Sequence, residues 1–215
     1  MTTDEMAALG DRLRAARQAR GLSLRTLAEQ VGVSASMVWQ IEAGRSRPSV
    51  STLYALTTAL GLSVEDVFAP PAARLGPGKD VEGGGTPLPP ADVVPGAGAA
   101  GEASRLGPVV HPDERPCLAL DSGVTWQRLG RLPGRATDFL LITYPPGAAS
   151  SSSGGLMRHS GHEYGYLLSG ELVVTLGFED QRLAPGDAVS FESSTPHRYG
   201  NEGDGPAVGV WFVVD

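Results

Sequence analysis

The stretch RTLAEQVGVSASMVWQIEAGRSRP occupies residues 25–48 and predicts two short helices joined by a tight turn. The first helix covers residues 25–31, where apolar side chains repeat at helical spacing. Gly32 allows the chain to leave this helix, because glycine tolerates a left-handed backbone. Ser34 suits the N-cap of the second helix, since its hydroxyl accepts hydrogen bonds from free amides one turn further on. Two short helices joined in this way are typical of a helix-turn-helix, whose second helix fits the major groove of DNA.

The second helix is expected to have one buried side and one outward side. The buried side consists of Met37, Val38 and Ile41. The outward side carries small or polar residues beside an indole, which suits contacts to base edges. These outward residues are Ala35, Ser36, Trp39 and Gln40. Two interpretations of Trp39 stay open, namely packing against a DNA sugar or methyl group and completion of the domain core.

The charge of the chain is unevenly distributed. The formal net charge is −7, but residues 12–47 carry seven arginines against two glutamates. A local basic surface of this kind is the electrostatic footprint of DNA binding. Arg45 and Arg47 follow the second helix in a loop, where we expect them to contact phosphates. The full predicted DNA-binding set is Arg25, Ser34, Ala35, Ser36, Trp39, Gln40, Arg45 and Arg47.

The run V-G-V-S-x-S-x-V-x-Q-I-E-x-G-x-x-x-P-S-V-x-T-L resembles the XRE family of phage-repressor-like helix-turn-helix domains. The resemblance covers residues 7–68 and implies a five-helix, lambda-repressor-like DNA-binding domain. Its first helix is expected at residues 8–20. Ser63 and Asp66 have the spacing of a capping box, which predicts the start of a short last helix.

Residues 69–104 are predicted to be a flexible linker. They contain eight glycines and seven prolines but no aromatic side chain that could build a core. Such a composition favours an extended or disordered segment.

Residues 105–215 show a different pattern, with short runs rich in valine, leucine and aromatic residues between turn-forming residues. This pattern predicts antiparallel strands that form a sandwich or a barrel. The expected strands are CLALD, VTWQRLGR, DFLLITY, YGYLL, ELVVTLGF, DAVSF and AVGVWFVV. We expect Trp126, Trp211 and the single cysteine, Cys117, to be buried in the core.

Two segments of this β region, at residues 158–170 and 183–201, resemble the two motifs of the cupin family. Cupins are jelly-roll barrels that commonly hold a divalent metal. The resemblance implies two histidines and one carboxylate as ligands of one Fe, Mn, Ni or Zn ion. These candidate ligands are His159, Glu163 and His197, the last expected at the end of a strand. Met157 stands where the family usually has another histidine, so a metal-free polar pocket stays open as an alternative.

The order of the two domains resembles a group of bacterial transcription regulators in which the cupin is a sensor. The resemblance implies a homodimer that binds double-stranded operator DNA and a small-molecule effector. An alternative from another class is a mononuclear non-haem iron oxygenase similar to hydroxypropylphosphonate epoxidase, with a vestigial helix-turn-helix. The H-x-x-x-E spacing and the PDERP run at residues 112–116 carry that second resemblance.

The sequence also predicts a cytoplasmic protein without a membrane partner. One cysteine excludes an intrachain disulfide, which suits a reducing compartment. The N-terminal residues lack the basic and apolar regions of a signal peptide. No window approaches the roughly 18 apolar residues that a membrane-spanning helix needs.

Overall fold

The computed structural model describes residues 3–68, 109–130 and 137–214, and the predicted linker lies outside them. A helical domain precedes an antiparallel β domain, which confirms the predicted fold class. The helices are α1 (Thr3–Ala19), α2 (Leu24–Val31), α3 (Ala35–Glu42), α4 (Val50–Leu60) and α5 (Val64–Val67). α1 begins earlier than the predicted start at residue 8. None of the described helices has the length and apolar content required to cross a membrane.

Serine side chains fix the starts of three consecutive helices. The Ser34 hydroxyl accepts a hydrogen bond from the Met37 amide at 3.1 Å, as predicted for the N-cap of α3. Ser23 and Ser49 make the equivalent bonds at the starts of α2 and α4. Gly32 ends α2 with φ 75°, a left-handed conformation that favours glycine. These caps set the angle between α2 and α3 and confirm the helix-turn-helix.

α3 buries a narrower side than the sequence predicts. Val38 and Ile41 are in the core, but Met37 is 39% exposed, so the prediction that Met37 is buried is wrong. Trp39 is 43% exposed and therefore does not complete the core. Both residues stand about 100° around the helix from Val38, which turns them to the margins of the buried side.

A buried ion pair joins α1 to α3. Arg17 Nε and one terminal nitrogen of the same guanidinium donate to the two Glu42 carboxylate oxygens at 2.6 and 2.9 Å. The side chains of Arg17 and Glu42 are only 11% and 5% exposed. The hydrogen bond to Glu42 raises the pKa of the Arg17 guanidinium. Arg17 therefore orients α3 within the domain. From the sequence, this arginine is predicted to belong to the basic surface.

The β domain contains two antiparallel sheets. One sheet has the strand order β1-β2-β3-β9-β4-β7 and the other β6-β5-β8, so the domain has two layers, as the sequence predicts for a sandwich or barrel. The strands are β1 (Cys117–Ala119), β2 (Thr125–Gly130), β3 (Thr137–Tyr144), β4 (His162–Ser169), β5 (Leu172–Leu176), β6 (Glu179–Leu183), β7 (Ala188–Glu192), β8 (His197–Gly200) and β9 (Ala207–Val214). Short 3₁₀ turns at Pro112–Glu114 and Asp121–Gly123 flank β1.

Three details of the β domain differ from expectation. His197 begins β8 instead of ending a strand. β6 was not predicted, because its side chains are mostly polar and exposed and give no apolar alternation. Trp126 and Trp211 are buried as predicted, whereas Cys117 is only half-buried, because β1 is an edge strand of its sheet.

α4 packs directly against the β domain. The Tyr54 ring meets the Trp126 ring edge to face, with centroids 5.7 Å apart. The Ser51 amide donates to the Ser150 carbonyl at 2.9 Å. Amides in the first turn of a helix have no partner within the helix, so this bond satisfies one of them across the interface. α4 therefore belongs both to the core of the helical domain and to the wall of the barrel.

The contribution of the Arg17–Glu42 pair to stability can be tested against that of an exposed ion pair in the same domain. Glu42→Ala should lower the free energy of unfolding by about 3 kcal/mol, because it leaves a buried guanidinium without its carboxylate. Glu29→Ala removes the exposed ion pair with Arg25 and should cost less than about 0.5 kcal/mol. Urea unfolding of both variants measures the difference. Equal losses would show that the buried pair does not stabilise the domain.

Candidate functional site

The outward side of α3 presents predicted DNA-binding residues to solvent. Ala35 and Ser36 are exposed, and Gln40 is half-buried. The Arg45 guanidinium carbon lies 4.8 Å from the centre of the Trp39 ring, within cation–π distance. Trp39 and Arg45 thus form one surface beside the exposed residues of α3.

The remaining residues of the predicted set lie outside this surface cluster. Arg25 is on α2, is largely exposed and pairs with Glu29 one turn later at 2.9 Å. Arg47 is exposed, and its Nε donates to the sulfur of Met6 at 3.4 Å. The Ser34 hydroxyl is used by the N-cap of α3, so its evident role is to start the helix.

The three candidate metal ligands come together inside the β domain. Glu163 lies on β4, where side chains at alternate positions are buried in the barrel. His197 begins β8 in the other sheet, and His159 lies in the segment that leads into β4. Their ligand atoms lie within 4.8 Å of one another. Residues from both sheets therefore form the triad that the cupin motifs imply.

Both imidazoles point Nε2 at the same carboxylate oxygen. Glu163 Oε1 is 2.9 Å from His159 Nε2 and 3.0 Å from His197 Nε2. All three side chains are at most 5% exposed. These are ion-pair distances, but Glu163 Oε1 and His197 Nε2 have no partner with hydrogen-bond geometry among the described residues.

The other ring nitrogens fix the tautomers. His159 Nδ1 is 2.9 Å from the Ser160 carbonyl oxygen, and His197 Nδ1 is 2.8 Å from that of Thr195. A carbonyl oxygen only accepts, so each Nδ1 carries a proton and donates. In the neutral rings, the lone pairs of Nε2 then face the carboxylate. Such an arrangement is repulsive without a positive charge between the three atoms.

The second carboxylate oxygen is held by a hydrogen-bonded chain. Tyr199 donates its hydroxyl to Glu163 Oε2 at 2.5 Å, and Trp211 Nε1 donates to that hydroxyl at 3.1 Å. Burial raises the pKa of the Glu163 carboxyl, but positive charge and donated hydrogen bonds from the two histidines, when their Nε2 atoms are protonated, outweigh burial and lower the pKa to about 2. Burial and the neighbouring carboxylate raise the pKa of Tyr199, so it remains a donor. Tyr199 therefore orients the Glu163 carboxylate, which is ionised.

These residues fit a divalent cation. Two donors about 2.1 Å from one ion and about 90° apart lie about 3.0 Å from each other, close to the observed nitrogen–oxygen distances. Nδ1 donation to a carbonyl and a hydrogen-bonded carboxylate are the supporting contacts usual for metal ligands. The lone-pair arrangement and the buried carboxylate both favour a positive charge at this point.

Met157, which stands at a usual histidine position of the cupin motif, and His162, which lies beside Glu163, have different surroundings. Met157 is buried, and its amide and carbonyl bond to those of His197 at 2.8 and 2.9 Å. Met157 lines the same small cavity as Glu163, at the position where the cupin motif usually has a histidine. His162 is exposed on the opposite side of β4 and takes no part in the triad.

Two aromatic residues of the site were not predicted. Tyr199 stands two positions after His197 on β8, so strand periodicity could have placed both on one side. Tyr54 of α4 stacks on the His159 ring, with centroids 4.0 Å apart and planes 4° from parallel. No pattern within either domain indicates that contact, because it depends on how the two domains dock.

Comparison with known proteins agrees with both halves of the chain. The helix-turn-helix domain family matches residues 8–68, and the cupin domain family matches residues 140–213. The HTH-type transcriptional regulator PuuR of Escherichia coli is 29% identical over 203 residues, covering 94% of this chain and 92% of PuuR. SutR of the same organism is also an HTH-type transcriptional regulator, 25% identical over 91% of this chain and 88% of SutR.

A solved structure has the same overall fold. The HTH_3 family transcriptional regulator from Vibrio cholerae aligns with TM-score 0.63 and 21% identity, covering 99% of this chain and 98% of that chain. The relatives named above are regulators, in agreement with the prediction of a regulator in preference to an oxygenase.

The hydrogen bond from Tyr199 predicts a measurable effect on metal affinity. Tyr199→Phe should weaken Zn(II) binding by about 10–100-fold, because it removes the donor that orients Glu163. Tyr166→Phe is the matched control, since Tyr166 is exposed on the outer side of β4 and should bind zinc normally. Isothermal titration of metal-free protein gives both affinities. An unchanged affinity in Tyr199→Phe would contradict a supporting role for Tyr199.

Proposed function

We propose that this chain, an XRE-type helix-turn-helix transcriptional regulator with a C-terminal cupin domain, binds operator DNA as a homodimer and senses a small molecule through a metal-containing barrel. The observation that carries the DNA-binding part is the capped α3, which exposes polar side chains beside an indole and an arginine. The observation that carries the sensor part is the buried triad. In this proposal residues 7–68 bind DNA, 69–104 link the domains and 105–215 form the sensor.

The proposed DNA contacts follow from exposure and chemistry. Ala35, Ser36 and Gln40 are on the outward side of α3 and are proposed to meet base edges. A glutamine carboxamide donates and accepts together, which matches the N6 and N7 edge of adenine. Arg45 and Arg47 are proposed to contact phosphates, which increases affinity for all sequences alike.

The proposed metal is held by His159, Glu163 and His197. Two imidazoles and one carboxylate suit Fe(II), Mn(II), Ni(II) or Zn(II) and leave coordination positions open. When bound, the ion supplies a Lewis-acidic centre that an effector can reach with an oxygen or nitrogen donor. The protein orients the ligands through the carbonyls that accept from Nδ1 and through Tyr199.

The proposed homodimer is supported by the outer face of the six-stranded sheet. Tyr164, Tyr166 and Leu168 of β4 and Phe212 of β9 are between 38% and 51% exposed. Tyr164 and Phe212 are paired across the two strands, so these side chains form a contiguous patch. A patch of this kind favours association with a second copy. A DNA partner and a single cysteine are consistent with a cytoplasmic location.

Regulation in this proposal requires two arrangements of the DNA-binding domains. An effector shifts the population between them only if it binds one arrangement more tightly than the other. The contact between α4 and the barrel supplies an element through which such a difference can act.

Gln40→Ala tests the DNA-binding proposal. At an operator selected from random DNA, it should cost about 1–3 kcal/mol and relax preference at one base pair per half-site. Binding to random DNA should hardly change, because that affinity comes mainly from phosphate contacts. Both affinities are measured at one fixed salt concentration.

Arg47→Ala is the control for this experiment. It should weaken operator and random binding by the same factor and reduce the slope of log affinity against log salt by about 1. If Gln40→Ala also weakens both by one factor, then Gln40 does not select bases.

A further inference from the structure

The site in the barrel is closed by the DNA-binding domain itself. Tyr54 and Val50, one helical turn apart on α4, both line the small cavity into which Glu163 and Met157 project. Tyr54 also stacks on the His159 ring at 4.0 Å. A helix of the DNA-binding domain therefore forms part of the wall of the metal site.

Two spaces of very different size meet at Tyr54. The inner cavity, between α4 and the barrel interior, has a volume of about 20 Å³. The outer cleft, between α4, α5 and the barrel rim, has a volume of about 260 Å³. Tyr54 and Val213 line both spaces, and His159 lines the cleft. Tyr54 of α4, together with Val213 of β9, therefore separates the cleft from the interior.

The inner cavity is too small for an organic effector. A volume of about 20 Å³ is enough for roughly one water molecule. The outer cleft is large enough for a small molecule, and Thr58, Ser63 and Ser160 are among the residues that line it. Because the Tyr54 ring lines both spaces, it lies between a molecule in the cleft and a metal held by Glu163.

We propose that the effector is a small chelating molecule that enters through the outer cleft and coordinates the metal only when Tyr54 is displaced, so that effector binding and docking of α4 on the barrel exclude each other. This inference rests on the metal site proposed above. When the effector coordinates the metal, it displaces Tyr54, and α4 with the DNA-binding domain is then released from the barrel.

Displacement of Tyr54 requires α4 to move. Tyr54 is 7% exposed and Val50 2% exposed, and both lie on the side of α4 that faces the barrel. Two backbone hydrogen bonds hold the same junction, from the Ser51 amide to the Ser150 carbonyl and from the Asp121 amide to the Pro48 carbonyl, each 2.9 Å long. Release of α4 breaks both bonds, which makes their amide protons direct reporters of docking.

The experiment uses full-length, Zn(II)-loaded protein and acetohydroxamate, a bidentate chelating probe. Isothermal titration measures zinc uptake and then acetohydroxamate binding, and residue-resolved amide exchange is recorded with and without the probe. Exchange at Ser51 and Asp121 should accelerate at least about tenfold on binding. Exchange at Leu53, whose amide bonds to Ser49 within the helical domain, should not change, which separates release of α4 from unfolding.

Two variants complete the test. Tyr54→Ala should bind acetohydroxamate about tenfold more tightly, because the cost of displacing the ring is removed. It should also exchange the Ser51 amide rapidly without the probe. Tyr54→Phe keeps the stacked ring and should therefore bind acetohydroxamate more weakly than Tyr54→Ala.

Each outcome decides the inference. Probe binding with unchanged or slower exchange at Ser51 and Asp121 overturns it, since the molecule is then held with α4 docked. Equal probe affinity in Tyr54→Ala and wild type overturns it as well, as does failure of both to bind the probe. Absence of zinc uptake overturns the metal proposal together with the inference, whereas the other failures leave the metal proposal intact.

Discussion

The buried carboxylate of Glu163 is the constraint on which the sensor half depends. Its Oε1 faces two imidazole nitrogens, and its Oε2 accepts from Tyr199. An ionised carboxylate away from water is very costly unless opposite charge and hydrogen bonds compensate it. Strand β8 and the segment before β4 supply these groups, so the Glu163 side chain joins the two sheets. The tautomers of the histidines direct their remaining lone pairs to the same point.

α4 connects this constraint to the DNA-binding half. It follows α3 in the helix-turn-helix domain, and its Tyr54 stacks on a member of the triad. The buried Arg17–Glu42 pair holds α3 against α1. A change at the triad is therefore one helix away from the surface that carries Trp39 and Arg45. Coupling between the sites can consist of rigid movement of a packed helical domain.

Sequence reasoning succeeded where the physical signal is local. Serine caps and Gly32 located the turn between α2 and α3, because capping involves residues only a few positions apart. The resemblance of two segments to the cupin motifs implied His159, Glu163 and His197, which the structure brings together. The alternation of β4 then explains why Glu163 is buried and His162 is exposed.

Sequence reasoning failed where the position of a residue depends on packing between segments that are far apart in the chain. Met37 was expected in the core, but α3 contacts its neighbours over a side too narrow to include it. β6 is polar and was missed, since only its pairing with β5 makes it a strand. Tyr54 reads as an ordinary residue of an apolar helix, and only docking of the two domains brings it to His159. The strand period could have located Tyr199, but docking cannot be derived from either domain alone.

The metal content of the purified protein tests the account most directly. Full-length protein is prepared without chelators, incubated with Fe(II), Mn(II), Ni(II) or Zn(II), dialysed and examined by elemental analysis. The account predicts about one divalent ion per chain in the wild type and in His162→Ala, and none in a folded His197→Ala variant. A wild-type protein that retains none of these ions would contradict it, and so would a His197→Ala variant that retains as much metal as the wild type.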